Sequence, residues 1–236
     1  MTRAGGVGAG AGGLPVPSER GPRWSRHVGR FLARVVWDTE VLGAEHVPLD
    51  GPVIISANHI GLVDGPLVHG VVPRGTHILV KEEMFRGPVG AVLRAAGQIP
   101  VDRTGGRPAL AAGLGVLRRG GAVGIFPEGV RGRGDGADAR AGVAWLAVTS
   151  GAPVVPTAVL GTRWTGEGVG HVPGLRRRLV VAFAPPVQLQ RAPGTSGRQA
   201  VADAHEVLRV ALAEHVRATV ERTGVPLPED APLGTG

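Results

Sequence analysis

The chain has 236 residues, of which 43% are hydrophobic and 19% charged, and its formal net charge is +7 at neutral pH. A chain of this length can bury a core within one domain, and the absence of cysteine excludes disulfides, a cysteine nucleophile and a thiolate metal site. The positive charge favours anionic partners such as phospholipid surfaces, phosphorylated substrates or nucleic acid, without choosing among them.

The first 22 residues are rich in glycine, alanine and proline, so residues 1–22 are predicted to form a disordered tail. No apolar run follows Arg3 that would make a signal peptide. No stretch of the chain approaches the roughly 20 apolar residues of a membrane-spanning helix. We therefore expect a cytoplasmic protein.

Residues 23–37 are predicted to form a cationic amphipathic helix. Trp24, Val28, Phe31, Leu32 and Val35 recur at helical spacing, and arginines occupy another face. The helix either packs on the domain with its arginine face in solvent or lies on an anionic membrane, and the two interpretations are compatible.

Short apolar runs then alternate with helical patterns, which is typical of a mostly parallel sheet covered by helices on both faces. The predicted strands are 53–56, 76–80, 122–126, 154–160 and 179–183. The predicted helices are 66–72, 88–96, 107–119, 141–149 and a long final helix from 197 to about 223. The sequence thus predicts one α/β domain over residues 23–223, followed by a loose tail at 224–236.

The candidate catalytic residues follow the first of these strands, where the chain reads Asn58-His59, four residues, Asp64. Five positions along a regular helix would turn His59 and Asp64 about 140° apart, so they can meet only across a turn. Gly61 supplies a flexible position, and Asp64 is placed to cap a following helix. Both side chains should then lie at the carboxyl end of a strand, where ligands bind in open α/β sheets.

This segment resembles the first motif of the 1-acylglycerol-3-phosphate acyltransferase family, which reads Asn-His, four residues, Asp. Three further blocks follow in the family's order, at 81–90 with 97–103, at 126–132 and at 152–157. The resemblance covers about residues 50–190, and four ordered blocks are far more specific than any one of them.

Three positions depart from the family's pattern. Val130 and Gly132 stand where the third block usually has threonine and serine, and Gly61 stands where the family often has a polar side chain. In the fourth block, Val154, Val155 and Val159 would line a hydrophobic wall that belongs either to the core or to an acyl pocket.

The resemblance implies an enzyme of phospholipid biosynthesis that moves a fatty acyl group from acyl-CoA or acyl carrier protein to the hydroxyl of lysophosphatidic acid or a related lysophospholipid. It implies that His59 and Asp64 are catalytic and that Lys81 and Arg103 lie near the acceptor's phosphate. The residues expected to bind substrate are Asn58, Lys81, Arg103, Glu128, Gly129 and Arg131. Such an enzyme would act peripherally at the inner face of the cell membrane.

A thioester is an activated acyl donor, so one histidine base that deprotonates the acceptor hydroxyl can suffice. The histidines form no His-Glu-x-x-His pattern, and we expect neither a metal nor a bound cofactor.

Two alternatives stay open. An esterase or thioesterase could use the same dyad with water, although no Gly-x-Ser-x-Gly elbow is present. The second alternative is a non-enzymatic protein that binds membrane or nucleic acid. Aromatic residues for base stacking are few, so we expect no nucleic-acid partner.

Overall fold

The computed structural model of the chain describes residues 14–102, 106–128, 134 and 141–230. Within these residues, seven strands form one sheet in the order β1-β7-β6-β2-β5-β3-β4. The strands are β1 (Asp38–Leu42), β2 (Val53–Ala57), β3 (Thr76–Lys81), β4 (Ile99–Val101), β5 (Ala122–Ile125), β6 (Val154–Leu160) and β7 (Arg178–Phe183).

Five strands, from β6 across to β4, run parallel to one another. At the other end of the sheet β7 is antiparallel to β6, and β1 pairs in parallel with β7. The prediction of a mostly parallel α/β sheet is confirmed. The carboxyl ends of five strands therefore meet at one edge of the sheet.

In the part of the chain that the structure describes, six α-helices accompany the sheet. They are α1 (Arg20–Phe31), α2 (Asp64–Val71), α3 (Gly87–Ala95), α4 (Arg107–Arg118), α5 (Gly142–Ser150) and α6 (Gly197–Thr223). The helices predicted after residue 60 agree with α2 to α6 within about two residues. Ser196 caps α6 by accepting a hydrogen bond from the backbone N–H of Gln199, and α6 ends at Gly224, which has a positive φ.

Helices cover both faces of the sheet, which explains why the central strands are apolar without alternation. In β2, Ile54 packs among residues of α4, α5 and α6, whereas Val53 and Ile55 pack against the α2 side. Every residue of β6 is buried, and Val154, Val155 and Val159 divide between these two cores. The hydrophobic wall of the fourth block is therefore core.

The two edge strands were not predicted from the sequence. In β1 the residues are Asp-Thr-Glu-Val-Leu, two of them charged, because an edge strand has solvent on one side. In β4 there are three residues with Pro100 in the middle, and a proline is tolerated there because the strand lies at the other edge of the sheet.

Parts of the two predicted tails, residues 1–22 and 224–236, pack against the domain. Leu14 packs against the core, and Gly21 and Pro22 are buried at the start of α1. At the other end Val225 is buried, and Asp230 forms an ion pair with Arg163. Residues 1–13 and 231–236 lie outside the described part of the chain.

The face by which α1 packs consists of small residues. Gly29 lies against Gly70 of α2, where an added Cβ would come within 2.7 Å of the Gly70 Cα. Ser25, also buried, donates to the carbonyl oxygen of Gly21 and lies 2.8 Å from Nε2 of His69. Close helix packing through small residues leaves the larger side chains of α1 on the outside. A π-helical turn, Leu32–Val36, continues the helix toward β1.

Candidate active site

Polar residues gather at the carboxyl edge of the five parallel strands. They follow or end successive strands of the sheet, and they are Thr162 after β6, His59 after β2, Glu128 after β5, Lys81 at the end of β3 and Asp102 after β4. An edge of this kind is where open α/β sheets bind ligands.

A tight turn joins β2 to α2 and brings His59 to Asp64. Nδ1 of His59 lies 2.8 Å from Oδ2 of Asp64, as the Gly61 turn predicted. The carboxylate does not cap α2, contrary to expectation. It accepts hydrogen bonds from the preceding backbone N–H groups of Ile60 (2.7 Å) and Gly61 (2.8 Å), and so closes the turn itself.

Asp64 is fully buried, and both of its oxygens have donors. Oδ2 takes three hydrogen bonds, from His59 Nδ1 and from the two backbone N–H groups of the turn. Oδ1 accepts a hydrogen bond from the hydroxyl of Thr162. A buried carboxylate is costly unless it is hydrogen-bonded in this way, so the surrounding structure holds Asp64 in one orientation.

The second ring nitrogen of His59, Nε2, is available as a hydrogen-bond acceptor. Because the Asp64 carboxylate only accepts, Nδ1 carries the proton and Nε2 is the acceptor of the neutral ring. Within the described part of the chain Nε2 has no hydrogen-bond partner, and the side chain is 13% exposed. The Phe126 ring packs at 4.5 Å between centroids and restricts the imidazole from one side.

Asn58 lies beneath the dyad and is fully buried. Its Nδ2 donates to the carbonyl oxygen of Val159 (3.0 Å), and its Oδ1 accepts from the Val159 N–H (2.6 Å). Its amide thus ties the end of β2 to β6, which favours a role in holding the turn over direct contact with substrate.

Glu128 is buried next to the dyad, and its Oε1 accepts from the backbone N–H of His59 at 3.3 Å. This contact links the third sequence block to the first. Lys81 lies on the same edge, at the end of β3 and separated from β2 by β5. The substrate-binding roles of both residues stay predictions.

Part of the third block lies outside the described residues. This holds for the predicted substrate-binding residues Arg103, Gly129 and Arg131, and for the departures Val130 and Gly132. Gly134 is described and buried, and an added Cβ there would come within 2.8 Å of Asn58 Nδ2. Gly134 therefore lies directly against the turn that carries the dyad.

Two residues that the sequence did not indicate contact the same turn. Thr162 donates to Asp64, and Arg163, which is 1% exposed, donates from Nε to the carbonyl oxygen of Ile60 (3.1 Å). The available sequence signal was a Gly-Thr-Arg run directly after the apolar strand β6, which places polar residues at the carboxyl edge. In the described residues no three histidine, aspartate or glutamate side chains cluster to hold a metal ion.

Comparisons with known proteins identify the family to which this fold belongs. A family model described as Acyltransferase matches residues 38–160, which is more than half of the chain. The chain is 33% identical over 125 residues to a 1-acyl-sn-glycerol-3-phosphate acyltransferase of Bacillus subtilis, covering 52% of this chain and 62% of that protein. It is 35% identical over 127 residues to the enzyme of the same name from Borreliella burgdorferi, covering 52% and 51%. The match therefore spans about half to three fifths of the length of these relatives.

A solved structure extends the likeness beyond the matched segment. The 1-acyl-sn-glycerophosphate acyltransferase PlsC of Thermotoga maritima superposes with a TM-score of 0.61 at 25% identity, covering 84% of this chain and 79% of that one. The resemblance read from the four motifs is confirmed, and the chain belongs to the acyltransferase family.

Proposed function

We propose that this chain transfers a fatty acyl group from a thioester donor, acyl-CoA or acyl carrier protein, to the free hydroxyl of lysophosphatidic acid or a related lysophospholipid. The observation that carries the proposal is the 2.8 Å contact between His59 Nδ1 and Asp64 Oδ2 at the carboxyl edge of the sheet. The activity in the printed names of the two bacterial relatives supports the choice of reaction and acceptor.

The dyad suits a reaction in which the enzyme supplies a base and no nucleophile. Nε2 of His59 takes the proton from the acceptor hydroxyl as its oxygen attacks the thioester carbonyl carbon. The C–S bond then breaks, and the departing thiolate takes the proton back from the imidazolium. Asp64 fixes the tautomer and stabilises the imidazolium while it exists, and a positioned general base contributes on the order of 10²- to 10⁴-fold.

The acceptor's phosphate needs fixed positive charge beside this base. Lys81 is the only lysine of the chain and ends β3 on the same edge as His59. Arg103 follows Asp102 after β4, the next strand in the sheet. We assign Lys81 and Arg103 to the phosphate, and Glu128, Gly129 and Arg131 to the rest of the acceptor, as the family resemblance implies.

We place the chain peripherally at the inner face of the cell membrane, and the outward face of α1 supports its binding to an anionic membrane. Trp24, Val28, Phe31 and Val35 are apolar, yet they are 44–56% exposed. Exposed arginines, Arg23, Arg30 and Arg34, lie among them. Apolar side chains flanked by cations fit the boundary between acyl chains and anionic headgroups. In the described chain no helix is both long and apolar enough to cross a bilayer.

The first experiment measures release of free thiol from a long-chain acyl-CoA, with and without lysophosphatidic acid, for the parent chain and for His59→Ala. Release that requires both the acceptor and His59 is the expected result, with acylated product formed in equal amount. Repeating the assay with acyl carrier protein as donor identifies the carrier.

The other outcomes discriminate between the alternatives. Thiol release that is as fast without acceptor would identify a thioesterase, because water would then serve as the acceptor. Near-normal transfer by a folded His59→Ala variant would contradict the assignment of the base.

A further inference from the structure

The Asp64 carboxylate has one donor that comes from far along the chain. Its Oδ2 is held by groups within five residues, namely the ring of His59 and the backbone of the turn. Its Oδ1 is held by the hydroxyl of Thr162, which lies 98 positions later in the sequence. Thr162 is fully buried and follows directly after β6 and Gly161.

The space for this hydroxyl exists because residue 61 has no side chain. A Cβ added to Gly61 would lie 3.0 Å from Oγ1 of Thr162 and 3.1 Å from its carbonyl oxygen. Both distances are shorter than ordinary van der Waals contacts, so a side chain at position 61 would require Thr162 to shift by a few tenths of an ångström. Gly61 and Thr162 thus fit together as a pair.

The hydroxyl completes what the local turn cannot provide. The backbone N–H groups of Ile60 and Gly61 bond the same oxygen as His59, so by themselves they restrain Oδ2 and leave the other oxygen, Oδ1, free to shift. A donor on Oδ1 removes this freedom and fixes the plane of the carboxylate relative to the imidazole. The orientation of His59 then depends on Thr162 through Asp64.

We propose that Thr162 is a positioning residue for acyl transfer, whose hydroxyl orients the Asp64 carboxylate toward His59 in space that Gly61 leaves open. The inference rests on the proposed function, because it assigns a role through the His59–Asp64 dyad. Thr162 acts on the chemical step alone and contributes nothing to the binding of donor or acceptor.

The test compares two substitutions in the full chain. Thr162→Val keeps the shape of the side chain and removes the hydroxyl, whereas Thr162→Ser keeps the hydroxyl and removes the methyl group. We expect Thr162→Val to lower kcat about 10- to 100-fold, since it removes a hydrogen bond to a charged group, with the KM of each substrate within about twofold of the parent. Thr162→Ser should retain most of kcat.

A second comparison tests whether the two positions share one space. Gly61→Ala should lower kcat by crowding Thr162, and its effect should not multiply with that of Thr162→Val, because both substitutions remove the same hydrogen bond. The matched control is Gly65→Ala, which adds a methyl group that meets no atom within 4 Å in the same segment and should leave kcat unchanged.

Several results would overturn the proposal. They are a parent-like kcat for Thr162→Val, an equal loss for Thr162→Ser, or losses at positions 61 and 162 that multiply. Thermal unfolding of each variant ensures that folded protein is compared. His59→Ala serves as the reference for the proposed function. If it abolishes transfer while Thr162→Val keeps the kcat of the parent, only the positioning role fails, and if His59→Ala is active, the dyad itself is wrong.

Discussion

Arg163 donates a hydrogen bond from Nε to the carbonyl oxygen of Ile60, the residue directly after His59, and its Nη1 lies 2.9 Å from Oδ1 of Asp230. The C-terminal segment is thereby linked to the turn that carries the dyad through one buried guanidinium. Asp230 also accepts from the backbone N–H of Gly166, and this bond, together with Arg163, holds the pKa of its carboxyl below the usual range.

Replacing Arg163 should loosen the turn. Arg163→Met leaves the Ile60 carbonyl without this donor, so we expect the free energy of unfolding to fall by about 1–3 kcal/mol and kcat to fall with it. Asp230→Asn should also lower the free energy of unfolding and kcat, but by smaller amounts, because Arg163 keeps its bond to Ile60. Urea denaturation and steady-state kinetics measure the two effects. Arg217→Met, on the exposed side of α6, is the control and should change neither. A normal kcat for folded Arg163→Met would show that the turn does not need this contact.

Asp64→Asn should lower kcat strongly while preserving the size of the side chain. The amide can accept at one atom only, so the four donors around Asp64 cannot all be satisfied, and the imidazolium loses its counter-charge. We expect a loss of roughly 10²- to 10⁴-fold in kcat at unchanged KM, measured by acceptor-dependent thiol release. Asp203→Asn, at an exposed position of α6, should behave like the parent.

The phosphate assignment predicts a selective change in KM. Lys81→Ala and Arg103→Ala should each raise the KM for lysophosphatidic acid about 10- to 100-fold, since each removes a charge-assisted hydrogen bond. The KM for a monoacylglycerol, which has no phosphate, should stay the same. Arg222→Ala, exposed at the end of α6, controls for the loss of one positive charge. Equal effects on both acceptors would exclude the two residues from phosphate binding.

The membrane assignment predicts that α1 carries the affinity for lipid. Trp24→Ala combined with Phe31→Ala should weaken binding to anionic phospholipid vesicles at least tenfold, because burying one large apolar side chain is worth about 1.5–3 kcal/mol. Vesicle sedimentation at two salt concentrations measures the effect, and binding should fall as salt rises. Val207→Ala with Val210→Ala removes exposed apolar groups from α6 and should leave binding unchanged. An equal loss of vesicle binding in the two double variants would contradict the assignment of α1 as the membrane-binding face.

The buried histidine under α1 predicts a loss of stability in mild acid. Burial lowers the pKa of His69 from 6.5 to about 4, so the folded chain keeps it neutral where the unfolded chain takes up a proton. Stability therefore falls as the pH drops from about 6.5 toward 4, and His69 contributes about 2 kcal/mol of this loss between pH 7 and 5.

Urea denaturation at pH 7 and 5 tests this contribution. His69→Gln should reduce the difference in unfolding free energy between the two pH values, whereas His27→Gln, exposed on α1, should not. Some difference in unfolding free energy between pH 7 and 5 will remain in His69→Gln, because burial also lowers the pKa of His77 and His215. If His69→Gln leaves the difference in unfolding free energy between the two pH values unchanged, His69 is not the group that titrates.

The sequence by itself determined the central strands and the helices after residue 60. The run 154–160 is apolar except for Thr157 and is flanked by Pro153 and Gly161, which fits a strand covered on both faces. The contact of His59 with Asp64 was also predictable, because the two residues are five positions apart and Gly61 allows a turn between them. These features are local, and local periodicity and turn chemistry encode them directly.

The tertiary structure alone decided which distant groups complete the site and which face of α1 packs. Thr162 and Arg163 reach the turn because β6 pairs with β2, a contact between segments about 100 residues apart that no local pattern specifies. The outward position of Trp24 and Phe31 follows from the close approach of Gly29 to Gly70, since two glycines let the helices touch where larger side chains would keep them apart. Such contacts depend on the packing of whole elements, and only the assembled fold determines them.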